Sequence, residues 1–265
     1  MTAKQDGYMG NPNLKPTGVD MEFTKEQIKE YIKCSQDPVY FIRNYVKIVS
    51  LDEGLVPFDM YDFQEEMINV IHNNRFFIGK LPRQTGKSTT MISYLLHYVL
   101  FNQSMSVAVL ANKQSVSRDI LGRLQLAYEY LPLWLQQGII AWNKGSIELE
   151  NGSKILASST SASAIRGGSY NVILLDEFAH VSSTIADDFF NSVYPTITSG
   201  SDTKVIMIST PNGLNMFYYY WQGATKKTGE PGKNDYVPFE VHWSQVPGRD
   251  EAWKEATIRN TSPEQ

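Results

Sequence analysis

An α/β fold is predicted, with a mostly parallel sheet flanked by helices. Three observations predict it. Segments of strand and helix character alternate along most of the chain, the order that arises when parallel strands are joined by crossover helices. The strand-like segments "RFFIGKLP", "MSVAVLANK", "NVILLDEF" and "TKVIMISTPNG" are almost wholly apolar, as strands covered on both faces require. The 265 residues, 42% of them hydrophobic, are enough for one large α/β domain or two small ones.

Taken in order, residues 1–21 are rich in Gly, Pro, Asn and Lys without periodicity and read as a flexible arm. Residues 22–75 read as a helical segment forming a small lobe. Thr24 is the N-cap of its first helix, with Gln27 completing a capping box and Ile28, Tyr31 and Ile32 on one face. A second helix covers "YDFQEEMINVIHNN", with Met67, Val70 and Ile71 inward. Residues 76–225 read as the core of the domain. "RFFIGKLP" is a strand and "KSTTMISYLLHYVLFN" the helix after it. "MSVAVLANK" is a strand, and "SVSRDILGRLQLAYEYLP" a helix that starts at a Ser cap. "SIELENGSKILASS" is a hairpin turning at Asn151-Gly152. The strand "NVILLDEF", a helix through "TIADDFFNSVYPTI", the strand "TKVIMISTPNG" and the helix "LNMFYYYWQGATKK" follow. In residues 226–265, "GATKKTGEPGKNDY" reads as a flexible loop, "YVPFEVHWS" as a further strand and "RDEAWKEATIRN" as a terminal helix.

The 24 basic and 28 acidic residues give a formal charge of −4, so there is no bulk basic signature of nucleic-acid binding; any such contact must come from a local patch. The single cysteine, Cys34, cannot form an internal disulfide and fits a reducing cytosol. "MTAKQDG" has no apolar signal core and no apolar run reaches membrane-spanning length, so a soluble intracellular protein is expected.

Chemistry concentrates in five motifs. "FFIGKLPRQTGKSTT" is a strand, loop and helix that place backbone N–H groups and a helix dipole where a phosphate can sit. Gly86, Lys87 and Ser88 fit a Walker A loop, but Leu81 stands where its leading glycine belongs, and Arg83 lies within it. Lys87 would reach the β- and γ-phosphates of ATP, and Ser88 would ligate Mg²⁺. "NVILLDEFAH" ends a buried strand in an acidic pair: Asp176 would hold Mg²⁺ through water, and Glu177 would polarise the attacking water. In "MISTPNG", Ser209, Thr210 and Pro211 end another strand, where a hydroxyl can sense the γ-phosphate; a Pro turn is the plainer reading. In "MYDFQEEM", Gln64 with an aromatic before it can read an adenine edge, though such pairs are common at helix starts. In "SASAIRGGS", Arg166 is either surface decoration or a finger offered to a neighbouring subunit's nucleotide.

The set "LPRQTGKST", "LLDEFAH" and "STPNG", with "WNKGSIELENGSKI" and "AIRGGS" between, closely resembles the large terminase subunit of tailed bacteriophages over residues 55–225. The resemblance implies an additional-strand P-loop ATPase, the motor that pumps double-stranded DNA into a procapsid. It implies ATP as substrate and Mg²⁺ as cofactor, with Glu177 and Arg83 catalytic and Arg166 acting on the next subunit's nucleotide. Phe63, Gln64, Arg83, Gln84, Thr85, Gly86, Lys87, Ser88 and Thr89 would bind nucleotide. Ser88 and Asp176 would hold the metal, and Ser209, Thr210 and Pro211 would form the coupling turn. Phe63 stands where the family often has Tyr. The implied partners are a portal protein, a small terminase subunit and further copies in a ring, in the host cytoplasm.

Only 54 residues follow Pro211 (265 − 211), too few for the RNase H-like nuclease domain of such proteins, so no DNA cleavage by this chain is expected. A superfamily 2 helicase fits less well. Its DE-x-H motif does not align, because His180 falls one place late, and a second RecA-like domain would need over a hundred further residues. A non-hydrolysing docking module is the other alternative, and the presence of Glu177 speaks against it.

Overall fold

The computed structural model describes residues 7–50, 52–161, 165, 168–198 and 200–261, the side chains of 194–198 excepted. Two helices come first, α1 (Lys25–Gln36) and α2 (Pro38–Tyr45). A two-stranded antiparallel hairpin, β1 (Lys47–Ser50) and β2 (Gly54–Pro57), leads to α3 (Asp62–Asn73). The main alternation runs β3 (Phe76–Lys80), α4 (Lys87–Phe101), β4 (Ser106–Ala111), α5 (Gln114–Glu129), β5 (Ile139–Trp142), β6 (Ser146–Leu149) and β7 (Lys154–Ser159). It continues with β8 (Val172–Asp176), α6 (Ser183–Thr198), β9 (Lys204–Ser209), α7 (Met216–Thr225), β10 (Val237–Glu240) and α8 (Glu251–Asn260).

Eight strands form one sheet in the order β10-β3-β9-β8-β4-β7-β6-β5. Every pairing from β10 to β7 is parallel, and β6 and β5 extend the sheet antiparallel. The apolar strands behave as buried parallel strands must: successive side chains point to opposite faces, and both faces are covered. Val107 and Val109 of β4, Val172 and Leu174 of β8 and Ile206 of β9 join the core under α3, α4 and α5. Their neighbours Ala108, Leu110, Ile173, Leu175 and Met207 join the core under α6 and α7. Among the described residues no helix is long and apolar enough to cross a membrane.

The hairpin at Asn151-Gly152 forms as the sequence predicts, with Gly152 at φ +80° and Ile147 opposite Ile155. The capping box of α1 is also present, Gln27 N–H donating to Thr24 Oγ1 and Thr24 N–H to Gln27 Oε1. Four expectations need correction. Ile28 and Ile32 are 49% and 47% exposed. The inner face of α1 is instead Tyr31, against Phe101, and the fully buried Cys34. The helix α5 starts one residue before Ser115, and its cap position, Lys113, has no side-chain cap. Residues 7–18 of the expected arm are docked. Leu14 is buried, Pro16 bridges to Ile139, and Gln136 bonds to both Lys15 N–H and Asn13 C=O. The loop 226–236 lies against α7, with Lys233 Nζ donating to Ala224 C=O and Asn234 Nδ2 to Tyr220 C=O.

The helices of residues 22–75 share a core with the sheet. Phe41, Ile42, Met67, Ile68 and Ile71 pack in the same apolar cluster as Leu95, Leu96 and Val99 of α4. The last strand is also part of this sheet, since β10 pairs in parallel with β3, Phe239 opposite Gly79.

Candidate nucleotide site

Three strands end side by side at one edge of the sheet, β3, β9 and β8, and each delivers one motif. Their registers are level: Lys80 lies opposite Ser209, and Asp176 opposite Ile208. The loop after β3 is fastened to the end of β9 by Leu81 N–H donating to Ser209 C=O, 3.1 Å. Leu81 itself is buried, so it packs where a standard loop has glycine.

The loop backbone makes two left-handed excursions, Gln84 at φ +56° and Gly86 at φ +70°. Glycine is required at the second position. A Cβ there would lie 2.6 Å from Gln64 Nε2, in addition to the strain that a positive φ imposes on a side chain. Gln64 is buried and bonded at both ends of its amide. Its Nε2 donates to Thr85 C=O, 2.9 Å, and its Oε1 accepts from Tyr61 N–H, 2.9 Å. Phe63 is buried in the core, because the helical turn that aims Gln64 at the loop turns Phe63 inward. The exposed ring beside it is Tyr61, 39% exposed, with ring centres 5.5 Å apart. The aromatic beside the buried Gln64 that is open to solvent is therefore Tyr61, and not Phe63 as the sequence suggests.

Lys87 opens α4 and is buried; its ammonium pairs with Glu177 Oε1 at 2.7 Å. Ser88 Oγ donates to Asp176 Oδ2, 3.0 Å, across 88 residues of sequence. The other oxygen of Asp176, Oδ1, is buried with no hydrogen-bond partner among the described residues. Burial and, next, the charge of Glu177 push the Asp176 carboxyl up to about 6, against the partial offset from Ser88. For Glu177 burial acts upward too, but the Lys87 ammonium and the bonds from Lys87 and Thr210 outweigh it and hold the carboxyl below its usual range.

Glu177 also sits in the left-handed region, at φ +51°, a conformation a non-glycine residue holds only when its surroundings impose it. Those surroundings are the Ser209–Pro211 turn at the end of β9. Glu177 Oε2 accepts from Thr210 N–H at 3.2 Å, Thr210 Oγ1 at 3.1 Å and Ser209 Oγ at 3.3 Å. The short turn Phe178–His180 is bonded to the same loop: Ala179 N–H donates to Ser209 Oγ, and Asn212 and Asn215 donate to Ala179 C=O. Pro211 is exposed at the tip of that turn.

The structure thus brings together Gln64, Gln84, Thr85, Gly86, Lys87, Ser88, Asp176, Glu177, Ser209 and Thr210. Arg83 is exposed at the loop apex, and Thr89 is half-buried in the first turn of α4. Arg166 lies outside the described residues. Two residues to which the sequence assigns no role also enter the site. His180 Nε2 lies 2.9 Å from Thr210 Oγ1, and Arg249 Nη2 donates to the carbonyls of Arg83 and Gln84 at 2.9 and 3.1 Å. His180 is next to a recognised motif, but Arg249 is 166 residues from its partner and no local pattern marks it.

A buried lysine opening a helix after one strand, facing an acidic pair on a second, with a third strand between them, defines a P-loop NTPase fold of the additional-strand kind. A family model described as the large terminase subunit, T4likevirus-type, amino-terminal region, matches residues 78–265, and the chain belongs to that family. Among curated proteins it is similar to tripartite terminase subunit 3 of human herpesvirus 7 (strain JI), 24% identical over 201 residues. That match takes in 72% of this chain but 29% of the relative, so the chain spans less than a third of that protein's length. Among solved structures it resembles the large terminase of bacteriophage HK97, with a TM-score of 0.65 at 18% identity, covering 84% of this chain and 47% of that one. It also resembles the large terminase ATPase domain of Thermus phage P74-26, with a TM-score of 0.55 at 22% identity, covering 72% and 86%.

Proposed function

We propose that this chain binds ATP with Mg²⁺ and hydrolyses it as the motor domain of a viral DNA-packaging terminase. The observation that carries the proposal is the meeting of Lys87, Ser88, Asp176 and Glu177 at the carboxyl edge of β3 and β8. Among the described residues no group of three or more His, Cys, Asp or Glu side chains is placed to hold a metal alone. That suits Mg²⁺, which takes one or two carboxylates and completes its shell with water and phosphate oxygens. The unpartnered Asp176 Oδ1 beside Ser88 fits such an ion. Bound there with ATP, the ion would neutralise charge on the β- and γ-phosphates.

The residues then divide the work. The loop from Arg83 to Thr89 holds the phosphates by its backbone N–H groups and by Lys87, which leaves Glu177 as it turns to them. The freed Glu177 Oε1 orients water for attack, while Oε2 stays on the Ser209–Thr210 turn. Loss of the γ-phosphate would return Lys87 to Glu177 and alter that turn, which is how hydrolysis would reach a DNA-gripping element. Gln64 holds the loop in its binding form, and the base would lie over Tyr61. Arg83 would offset γ-phosphate charge within the chain, and Arg166 would do so on a neighbouring copy. Assembly on a portal protein with a small terminase subunit, around double-stranded DNA and in the host cytoplasm, is what family membership supports.

Phosphate release from ATP tests the reading. Glu177→Gln should lower kcat by about a hundredfold or more and keep nucleotide affinity, as for loss of a catalytic base. Equal rates for the two proteins would exclude the enzyme.

A further inference from the structure

We propose that His180 is a positioning residue for hydrolysis, acting on Glu177 through the Thr210 hydroxyl. The inference rests on the ATPase reading above. Thr210 is buried, and its Oγ1 lies between two neighbours, His180 Nε2 at 2.9 Å and Glu177 Oε2 at 3.1 Å. His180 Nε2 lies 3.7 Å from Glu177 Oε2, within ion-pair reach when the ring is charged but beyond hydrogen-bond range, so its hydrogen bonding reaches the carboxylate through Thr210.

A threonine hydroxyl has one proton to give. The carboxylate is the stronger claimant, because a hydrogen bond to an ionised acceptor is roughly twice as strong as a neutral one. Thr210 therefore donates to Glu177, and His180 must be the donor to Thr210, with its proton on Nε2. In that arrangement the imidazole N–H fixes the rotor of the hydroxyl, and the hydroxyl fixes the carboxylate. The alternative tautomer would draw the Thr210 proton away from Glu177 and leave Oε2 with only the Thr210 N–H and the longer Ser209 contact.

The ring is held in place for this task. Its turn is bonded on both sides of Ala179, by Ser209 Oγ to the N–H and by Asn212 and Asn215 to the C=O. His180 thus moves with the coupling turn, and any shift of that turn reaches Glu177 through the Thr210 hydroxyl. Among the described residues the His180 side chain bonds to Thr210 and lies near Glu177, and does not bond to the phosphate loop, so it should govern the chemical step and leave nucleotide binding alone.

Steady-state phosphate release by the full chain, with melting temperature checked for each variant, tests this. His180→Ala should lower kcat about fivefold to tenfold, the worth of one lost hydrogen bond at the reacting group, with KM for ATP unchanged. His180→Gln, whose amide nitrogen reaches the place of Nε2, should restore most of the rate. His180→Asn, whose nitrogen reaches only the place of Nδ1, should not. Thr210→Val removes the hydroxyl that bonds Glu177 itself, so it should cost at least as much as His180→Ala, and the double variant should be no slower than Thr210→Val alone. An unchanged kcat in His180→Ala, a change confined to KM, failure of Gln to do better than Asn, or additive losses in the double variant would each overturn the positioning role while the ATPase reading stands. A wild-type chain that releases no phosphate would overturn both.

Discussion

The carboxyl edge of β3, β9 and β8 and the packing around α1, α4 and the end of α5 both bury polar side chains, but on opposite terms. In the packing region the buried histidine and glutamine side chains are answered, although the buried Tyr94 hydroxyl of α4 has no partner among the described residues. His97 Nε2 meets Cys34 C=O at 2.8 Å, and burial drives this imidazole down to about 4, so it is neutral at neutral pH. Gln136 gives its amide to Asn13, Leu131 and Tyr128 carbonyls and accepts from Lys15 N–H. At the sheet edge, by contrast, Asp176 keeps a buried oxygen with no partner among the described residues, and Glu177 and Gln84 are held in the left-handed region. Lys87 is buried against Glu177, the carboxylate proposed to orient water. Satisfied burial serves stability, and unsatisfied burial with backbone strain marks a place kept for a ligand.

Asp176→Asn should break this comparison most visibly, because it should destroy activity and stabilise the protein. The folded carboxyl lies near 6, against 3.8 unperturbed. A folded value above the unfolded one means that folding takes up a proton. The stability Asp176 contributes is therefore full below pH 3.8 and is lost as the pH rises through about 6. At pH 8, without metal, Asn should make the fold about 3 kcal/mol more stable, and the gain should vanish near pH 4. Hydrolysis should fall by about a hundredfold or more, as for loss of a magnesium ligand. Denaturation midpoints at pH 4 and pH 8 decide the matter, and a gain that is the same at both would refute the account.

Gln136→Ala is the reverse case. It strips partners from Lys15 N–H and the carbonyls of Asn13 and Leu131 in a buried place, and should cost about 3 kcal/mol. The rate per folded molecule should not change. A lower kcat at full folding would show that residues 13–15 are coupled to the site.

The same division explains what the sequence made legible. Strands β3, β4, β8 and β9 are readable because each is an apolar run, and β3, β8 and β9 each end in a motif whose residues need only a strand end and a turn to be placed. Gly86, Lys87, Ser88, Asp176, Glu177, Ser209 and Thr210 all meet for that reason. What stayed hidden depends on partners far along the chain. Residues 7–18 carry no periodicity, yet Gln136 and Ile139 dock them. Ile28 and Ile32 have helical spacing, but α2 and α4 cover the adjacent face of α1, where Cys34 lies. Phe63 precedes Gln64 in sequence and points away from it in space. The short, half-exposed β1–β2 hairpin has too little apolar alternation to be seen.

Arg249→Ala carries the smallest expected effect and tests whether the segment after β10 belongs to the site. The helix α8 contributes no buried residue of its own. Arg249 ties the segment to the loop, with its guanidinium 4.8 Å from the Trp253 ring centre and one nitrogen shared between Arg83 and Gln84 carbonyls. In a planar trans peptide C=O and N–H point opposite ways. Drawing the carbonyls of Arg83 and Gln84 outward therefore turns the N–H groups of Gln84 and Thr85 to the inner side of the loop, where a phosphate binds. Without Arg249 those peptides are free to rotate, and the loop must be ordered when nucleotide arrives. ATP affinity should weaken about threefold, with less than about 1 kcal/mol lost from stability, because the bonds are partly exposed. Nucleotide titration of the two proteins checks it. An affinity unchanged within error would place Arg249 outside the site and leave the loop held by Gln64 and by the Leu81–Ser209 bond.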